Sequence, residues 1–158
     1  MPKFELPPLP EDVVDVLNAA LGGFNNALGL RFTEASYQRV VATLTINSAH
    51  HQPYGLVHGG VYTSMIETVA SCGAAINAMA TGRHAVGLDN SSSFLRAVRE
   101  GTLTATATPL VRGRRTHVWT VTIVDDKDRT VAVGRVRMLV VEQKEAIAGE
   151  KVRVKAES

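Results

Sequence analysis

From Gly59 to Met79 the residues Val61, Met65, Val69, Cys72 and Ile76 recur every three or four positions, which is the spacing of one face of a helix. The positions around them are mostly small: Ala70, Ser71, Gly73, Ala74, Ala75 and Ala78. Side chains this small let other backbone approach on several sides. The pattern therefore predicts a buried central helix wrapped by a sheet rather than a helix lying on a surface.

The rest of the chain supplies strands to do the wrapping. Ser36 to Ile46 alternates, with Val40, Ala42 and Leu44 on one side and Val41, Thr43 and Thr45 on the other, and a shorter strand is expected near Leu30 to Thr33. Beyond the helix, strands are predicted at His84 to Ala97, Thr102 to Leu110, Arg115 to Val124 and Thr130 to Val141. The turn-prone segments Arg99-Glu100-Gly101, Arg112-Gly113 and Asp125 to Arg129 separate them, and such short connections imply an antiparallel meander. Ahead of all this, Val13, Val14, Val16, Leu17, Ala20 and Leu21 predict a leader helix over about 10–22, stopped by Gly22-Gly23. The stretch 143–158 is rich in Lys and Glu and is expected to be a loosely held tail. With 158 residues, 45% of them hydrophobic, and no linker, the chain suits one domain of the α+β class.

Charge excludes some functions. The 17 Lys+Arg against 15 Asp+Glu leave +2, too little for the broad basic footprint that nucleic acid needs. No apolar run approaches the ~20 residues of a membrane span. Cys72 is the only cysteine, so no intrachain disulfide can form, and a reducing cytoplasm is the expected location. His50, His51, His58, His84 and His117 lack the spacing of a zinc motif, so neither a metal nor any other cofactor is expected.

The chemistry concentrates in the segment His51 to Gly60 and the helix it enters. Gly59 and Gly60 at a helix start leave backbone N–H groups uncovered at the positive end of the helix dipole, where they can hold a carbonyl oxygen that becomes negative during acyl transfer; a tight loop that needs glycine is the plainer reading of the pair. Glu67 lies among Met65, Ile66, Val69 and Ala70, where a carboxylate is costly without a partner or a task. Ser71, four residues on, shares its face and could hold a water beside it. Gly59 and Glu67 are eight residues apart, about 12 Å along one helix, so they cannot grip one carbonyl together. A two-fold dimer with antiparallel helices would instead set Glu67 of one subunit opposite Gly59 of the other.

His58-Gly59-Gly60 leading a helix that contains Glu67, then Val86-Gly87-Leu88-Asp89-Asn90, Ser93-Phe94-Leu95-Arg96 and Gly113-Arg114-Arg115-Thr116, resembles the hotdog-fold acyl-CoA thioesterases. Within them the chain resembles the phenylacetate-degradation and 4-hydroxybenzoyl-CoA thioesterase group, over about residues 27–141. The resemblance implies a curved antiparallel sheet around one long helix, and a homodimer assembled further into a homotetramer, a dimer of dimers. It implies an acyl-CoA substrate, with coenzyme A as part of that substrate rather than a cofactor. Gly59 would supply the oxyanion N–H and the partner's carboxylate, equivalent to Glu67, would be nucleophile or general base. Gln52 and Ser71 would align carbonyl and water, and His58 would support the loop. Gly60, Asn90, Arg112, Gly113, Arg114 and Arg115 would contact substrate, the arginines through the phosphates of coenzyme A. Many relatives have Asp at the position of Glu67, so glutamate favours the 4-hydroxybenzoyl type. Two other functions stay open at this stage. One is a hotdog hydratase or dehydratase, for which His51 is the available histidine because Pro53 stands where such enzymes carry theirs. The other is a non-catalytic acyl-CoA sensor, against which Gln52, Glu67 and Ser71 argue.

Overall fold

In the computed structural model, which describes residues 6–151, helix α3 (Gly59–Met79) runs along the concave side of a six-stranded antiparallel sheet. The strands are β1 (Arg31–Ala35), β2 (Val40–Thr45), β3 (Arg83–Phe94), β4 (Thr102–Arg112), β5 (Thr116–Val124) and β6 (Thr130–Glu142). Their order across the sheet is β1-β2-β4-β5-β6-β3. This is the wrapped helix expected of the hotdog fold, and the bounds of α3 coincide with the predicted ones.

The small residues of α3 set how closely helix and sheet approach. The fully buried Trp119 of β5 lies against Gly73, where a Cβ would come within 2.5 Å of the indole ring. On β6, a Cβ at Gly134 would stand 2.7 Å from Ile66 Cγ2. Around these contacts Met65, Ile66, Val69, Leu44, Leu103, Ile123 and Met138 are all buried to 1% exposure or less, each contributing about 1.5–3 kcal/mol of burial.

Several predicted elements differ from the structure. The leader helix of about 10–22 is α1 (Val13–Ala19), and Gly22-Gly23 opens a second helix, α2 (Gly22–Leu28), instead of only stopping the first. Gly22 makes the corner with φ +75°, a conformation open to glycine. The strand expected over Ser36 to Ile46 begins only at Val40, because Ser36 to Arg39 is the hairpin loop from β1. There Ser36 Oγ accepts from the amides of Gln38 at 3.3 Å and Arg39 at 3.0 Å. The meander holds for β4-β5-β6 alone: β3 crosses to the far edge beside β6, and β4 pairs with β2. In the expected loose tail, Ala146–Ile147 pairs with Glu150–Lys151, and 152–158 lies outside the described residues.

The Gly73 contact gives a stability test. Alanine for glycine inside a helix ordinarily stabilises by about 0.5–1 kcal/mol. In Gly73→Ala the added methyl meets a packed indole, so urea denaturation should show a net loss of about 1–3 kcal/mol.

Candidate active site

Glu67 is half-buried near the middle of α3, and both of its carboxylate oxygens are engaged. Ser71 Oγ donates to Oε1 at 3.0 Å and Asn90 Nδ2 donates to Oε2 at 2.9 Å. The Asn90 amide is itself oriented: its Nδ2 also donates to the Thr63 carbonyl at 3.2 Å, while its Oδ1 accepts from Ser92 Oγ at 2.7 Å. A chain Ser92–Asn90–Glu67–Ser71 thus fixes the carboxylate in one pose. Asn90, grouped with the substrate contacts by resemblance, here spends its donors on Glu67 and Thr63. Ser92 was not singled out by the sequence.

A β-bulge makes this possible. The pairing of β3 with β6 shifts between Gly87 and Asp89, so Leu88 is the extra residue. Without it, residues 87 and 89 would share a face; with it, Gly87 and Asn90 both turn toward α3. Gly87 lies so close that a Cβ there would be 2.6 Å from Glu67 Oε1.

At the other end, His58 caps α3. Its Nδ1 accepts from the Gly60 amide at 2.8 Å, which commits that nitrogen to the loop and places the ring proton on Nε2. The Gly60 amide is thereby taken, while the Gly59 amide donates to no group among the described residues. The Phe94 ring rests on Gly59, where a Cβ would come within 2.5 Å of it. Gln52 Oε1 accepts from the Tyr54 amide at 2.6 Å. Arg99 Nη1 pins this loop through the carbonyls of Tyr54 at 2.9 Å and Gly55 at 3.1 Å.

The predicted site residues fall into separate spaces. Gly59 and Gln52 line a cavity of about 240 Å³ with Tyr62 and Phe94. Glu67, Ser71 and Asn90 line another of about 740 Å³ whose walls are mainly apolar. Cys72 also lines the second, but burial pushes its thiol up to about 12, so it is a neutral wall group and not a nucleophile.

The β4–β5 turn forms a third space, of about 330 Å³, lined by Arg112, Gly113 and Arg114. Arg112 Nη1 is spent on Asn77 Oδ1 at 3.0 Å and the Tyr37 carbonyl at 3.3 Å, tying the turn to the C-terminal end of α3. Arg114 and Arg115 make no side-chain hydrogen bond or ion pair among the described residues, and both line a further space together with Glu142 and Glu145. His117 borders the turn, buried, and its Nδ1 has no hydrogen-bond partner among the described residues. Burial, and then the charge of Arg112, lower its pKa from the ordinary 6.5. The other histidines disperse: His50 Nε2 bonds the Leu28 carbonyl at 2.8 Å and His51 Nε2 the Arg99 carbonyl at 2.7 Å.

Comparison with known proteins adds an independent line. Residues 54–132 match the family model described as the thioesterase superfamily. The proofreading thioesterase EntH of Cronobacter turicensis is 31% identical over 123 residues, 77% of this chain and 89% of that protein. The structure of a mutant of thioesterase PA1618 from Pseudomonas aeruginosa superposes with a TM-score of 0.77 at 30% identity, covering 81% of this chain and 93% of that one. Protein Rv1847 of Mycobacterium tuberculosis superposes with a TM-score of 0.75 at 43% identity, covering 77% of this chain and 98% of that one.

Two outcomes follow from the geometry. Gly87→Ala should displace the carboxylate and lower kcat at least about tenfold while the urea midpoint moves little, since the added methyl clashes with Glu67 and meets core Met138 only at an ordinary 4.0 Å. His117 holds its proton less readily folded than unfolded, so its contribution to stability is complete above about pH 6.5 and is lost as pH falls below it. The drop in urea midpoint between pH 7 and pH 5 should accordingly be smaller in His117→Gln than in the wild type.

Proposed function

The chain belongs to the thioesterase superfamily and is a thioester hydrolase, and on that premise we propose that it cleaves acyl-CoA thioesters to a carboxylic acid and free coenzyme A at sites shared between two subunits. The observation that carries the shared site is the separation of the free Gly59 amide from Glu67. The two open into different cavities of one chain, about 12 Å apart along a continuous helix.

The sheet edge supports the same reading. β3 is an outer strand of 12 residues, paired among the described residues only with β6, and Leu88 and Phe94 on it are 52% and 53% exposed. An unpaired edge of that length is a template for another strand. Antiparallel pairing with β3 of a second copy would extend the sheet and run the two α3 helices in opposite directions. Each Glu67 would then approach the Gly59 amide of the other subunit. Pairing of two such dimers gives the proposed homotetramer.

In this arrangement the thioester carbonyl oxygen accepts from the Gly59 amide, whose donor is preorganised at a helix N-terminus and strengthens as negative charge develops. The carboxylate from the other subunit attacks the carbonyl carbon or draws a proton from an attacking water, and both roles need it ionised. Ser71 and Asn90 each donate to one oxygen and so hold it in place. Collapse of the tetrahedral adduct expels the coenzyme A thiolate. Where water is the nucleophile this gives the carboxylic acid directly. Where the carboxylate is, it leaves an acyl-glutamyl anhydride that a water then hydrolyses to the acid and the free carboxylate, the thiolate taking up a proton the water gives up. Arg114 and Arg115, whose guanidinium groups are unspent, would receive its phosphates, with Arg112 holding the turn. A glutamate rather than an aspartate at position 67 supports placement with the 4-hydroxybenzoyl-CoA type.

The shared site has a direct test. Glu67→Gln keeps the size of the side chain and removes its charge, so kcat should fall at least about 100-fold. Gly59→Pro, which removes the N–H donor, should also be inactive. Mixing the two inactive proteins under subunit exchange should restore activity, because one composite site of each heterodimer is intact. Heterodimers seen by mass spectrometry without recovered turnover would reject the cross-subunit assignment.

A further inference from the structure

The cavity that holds Glu67 is walled on one side by a part of the chain that the reaction as described leaves unused. Leu17, Ala20, Leu21 and Phe24 of the α1–α2 segment face Ile76 and Met79 of α3 across it. This wall is fastened at two points. Asn18 makes a pair of bonds to the backbone of Phe32 in β1, Nδ2 donating to its carbonyl at 2.9 Å and Oδ1 accepting from its amide at 2.8 Å. Thr68 Oγ1 on α3 donates to Asn25 Oδ1 on α2 at 2.8 Å.

The lining is apolar and offers no cation. Apart from Glu67 it carries no ionised side chain among the described residues. Phe24 and Met79 are 66% and 50% exposed and form an apolar rim at the mouth. The cavity volume of about 740 Å³ lies in the range that encloses whole small molecules, far more than an acetyl group fills.

We infer that the α1–α2 segment is the acyl-binding wall of this site and selects thioesters whose acyl group is large, apolar and uncharged. The inference rests on the hydrolase reading above and adds the substrate class. Each methylene buried against such a wall favours the longer ester by about fourfold. An acyl group ending in a second carboxylate would enter an apolar space beside Glu67 with no cation to meet it, and is disfavoured on both counts.

Thiol release from acetyl-, butyryl-, octanoyl-, benzoyl- and succinyl-CoA tests this. In the wild type, kcat/KM should be at least tenfold higher for octanoyl- and benzoyl-CoA than for acetyl-CoA. It should be at least tenfold lower for succinyl- than for butyryl-CoA, which has the same chain length. Ala20→Phe fills the cavity and should cut the octanoyl-to-acetyl ratio at least tenfold. Phe24→Ala trims an exposed ring without touching the core and should lower the same ratio several-fold with an unchanged circular dichroism spectrum. A flat profile across the panel, a ratio unmoved in Phe24→Ala, or succinyl-CoA cleaved as fast as butyryl-CoA would overturn the acyl-wall assignment while leaving the hydrolase reading in place. Failure of the wild type to cleave any of the esters would overturn both.

Discussion

The close approach of α3 to the sheet is the constraint from which the other features follow. A helix and a sheet can lie this near only where side chains are missing, and Gly73 beneath Trp119 and Gly134 beneath Ile66 provide the gaps. With the helix seated there, the sheet must curve around it, and its two edges are far apart in the order β1-β2-β4-β5-β6-β3. β1 is used to anchor the α1–α2 segment through Asn18, while β3 is left as a long unpaired edge.

The same close approach sets the surroundings of Glu67. A carboxylate on a helix buried this deeply needs compensation, and it is supplied by one donor on its own helix and one on the facing strand. The facing donor is available because one bulge in β3 turns Asn90 inward together with Gly87. The first residue supplies a hydrogen bond and the second supplies room. A strand of regular pleat would have presented Asp89 toward the glutamate, and two carboxylates in one apolar space would have repelled each other.

The helix N-terminus obeys a different economy. His58 consumes one of the two glycine amides and so leaves a single donor, Gly59, whose direction is fixed by the cap and by the Phe94 ring lying on it. The loop ahead of it is held by Arg99 from a distant strand connection, so the pose of Gln52 depends on chain far from it in sequence. The Gly59 amide and the Glu67 carboxylate are therefore each held in place, and they face different cavities of the chain.

Much of this was legible in the residues themselves. The bounds of α3, the strand-rich remainder, the uncovered amide at Gly59 and the shared helical face of Ser71 and Glu67 all follow from local periodicity and helical spacing, which depend on neighbours within four residues. The direct bond of Ser71 Oγ to the carboxylate, where a bridging water was expected, does not. The double glycine at Gly22-Gly23 marked a break but not a second helix, because whether a chain resumes its helix after a corner depends on what α2 packs against. The crossing of β3 to the far edge, the bulge at Leu88, the commitment of Asn90 to Glu67 and of Arg112 to Asn77, and the placing of the leader over the carboxylate were decided by the tertiary structure. Each joins residues remote in sequence, and a one-residue shift in register reverses which side chains face inward, a choice that only the packed sheet and helix can make.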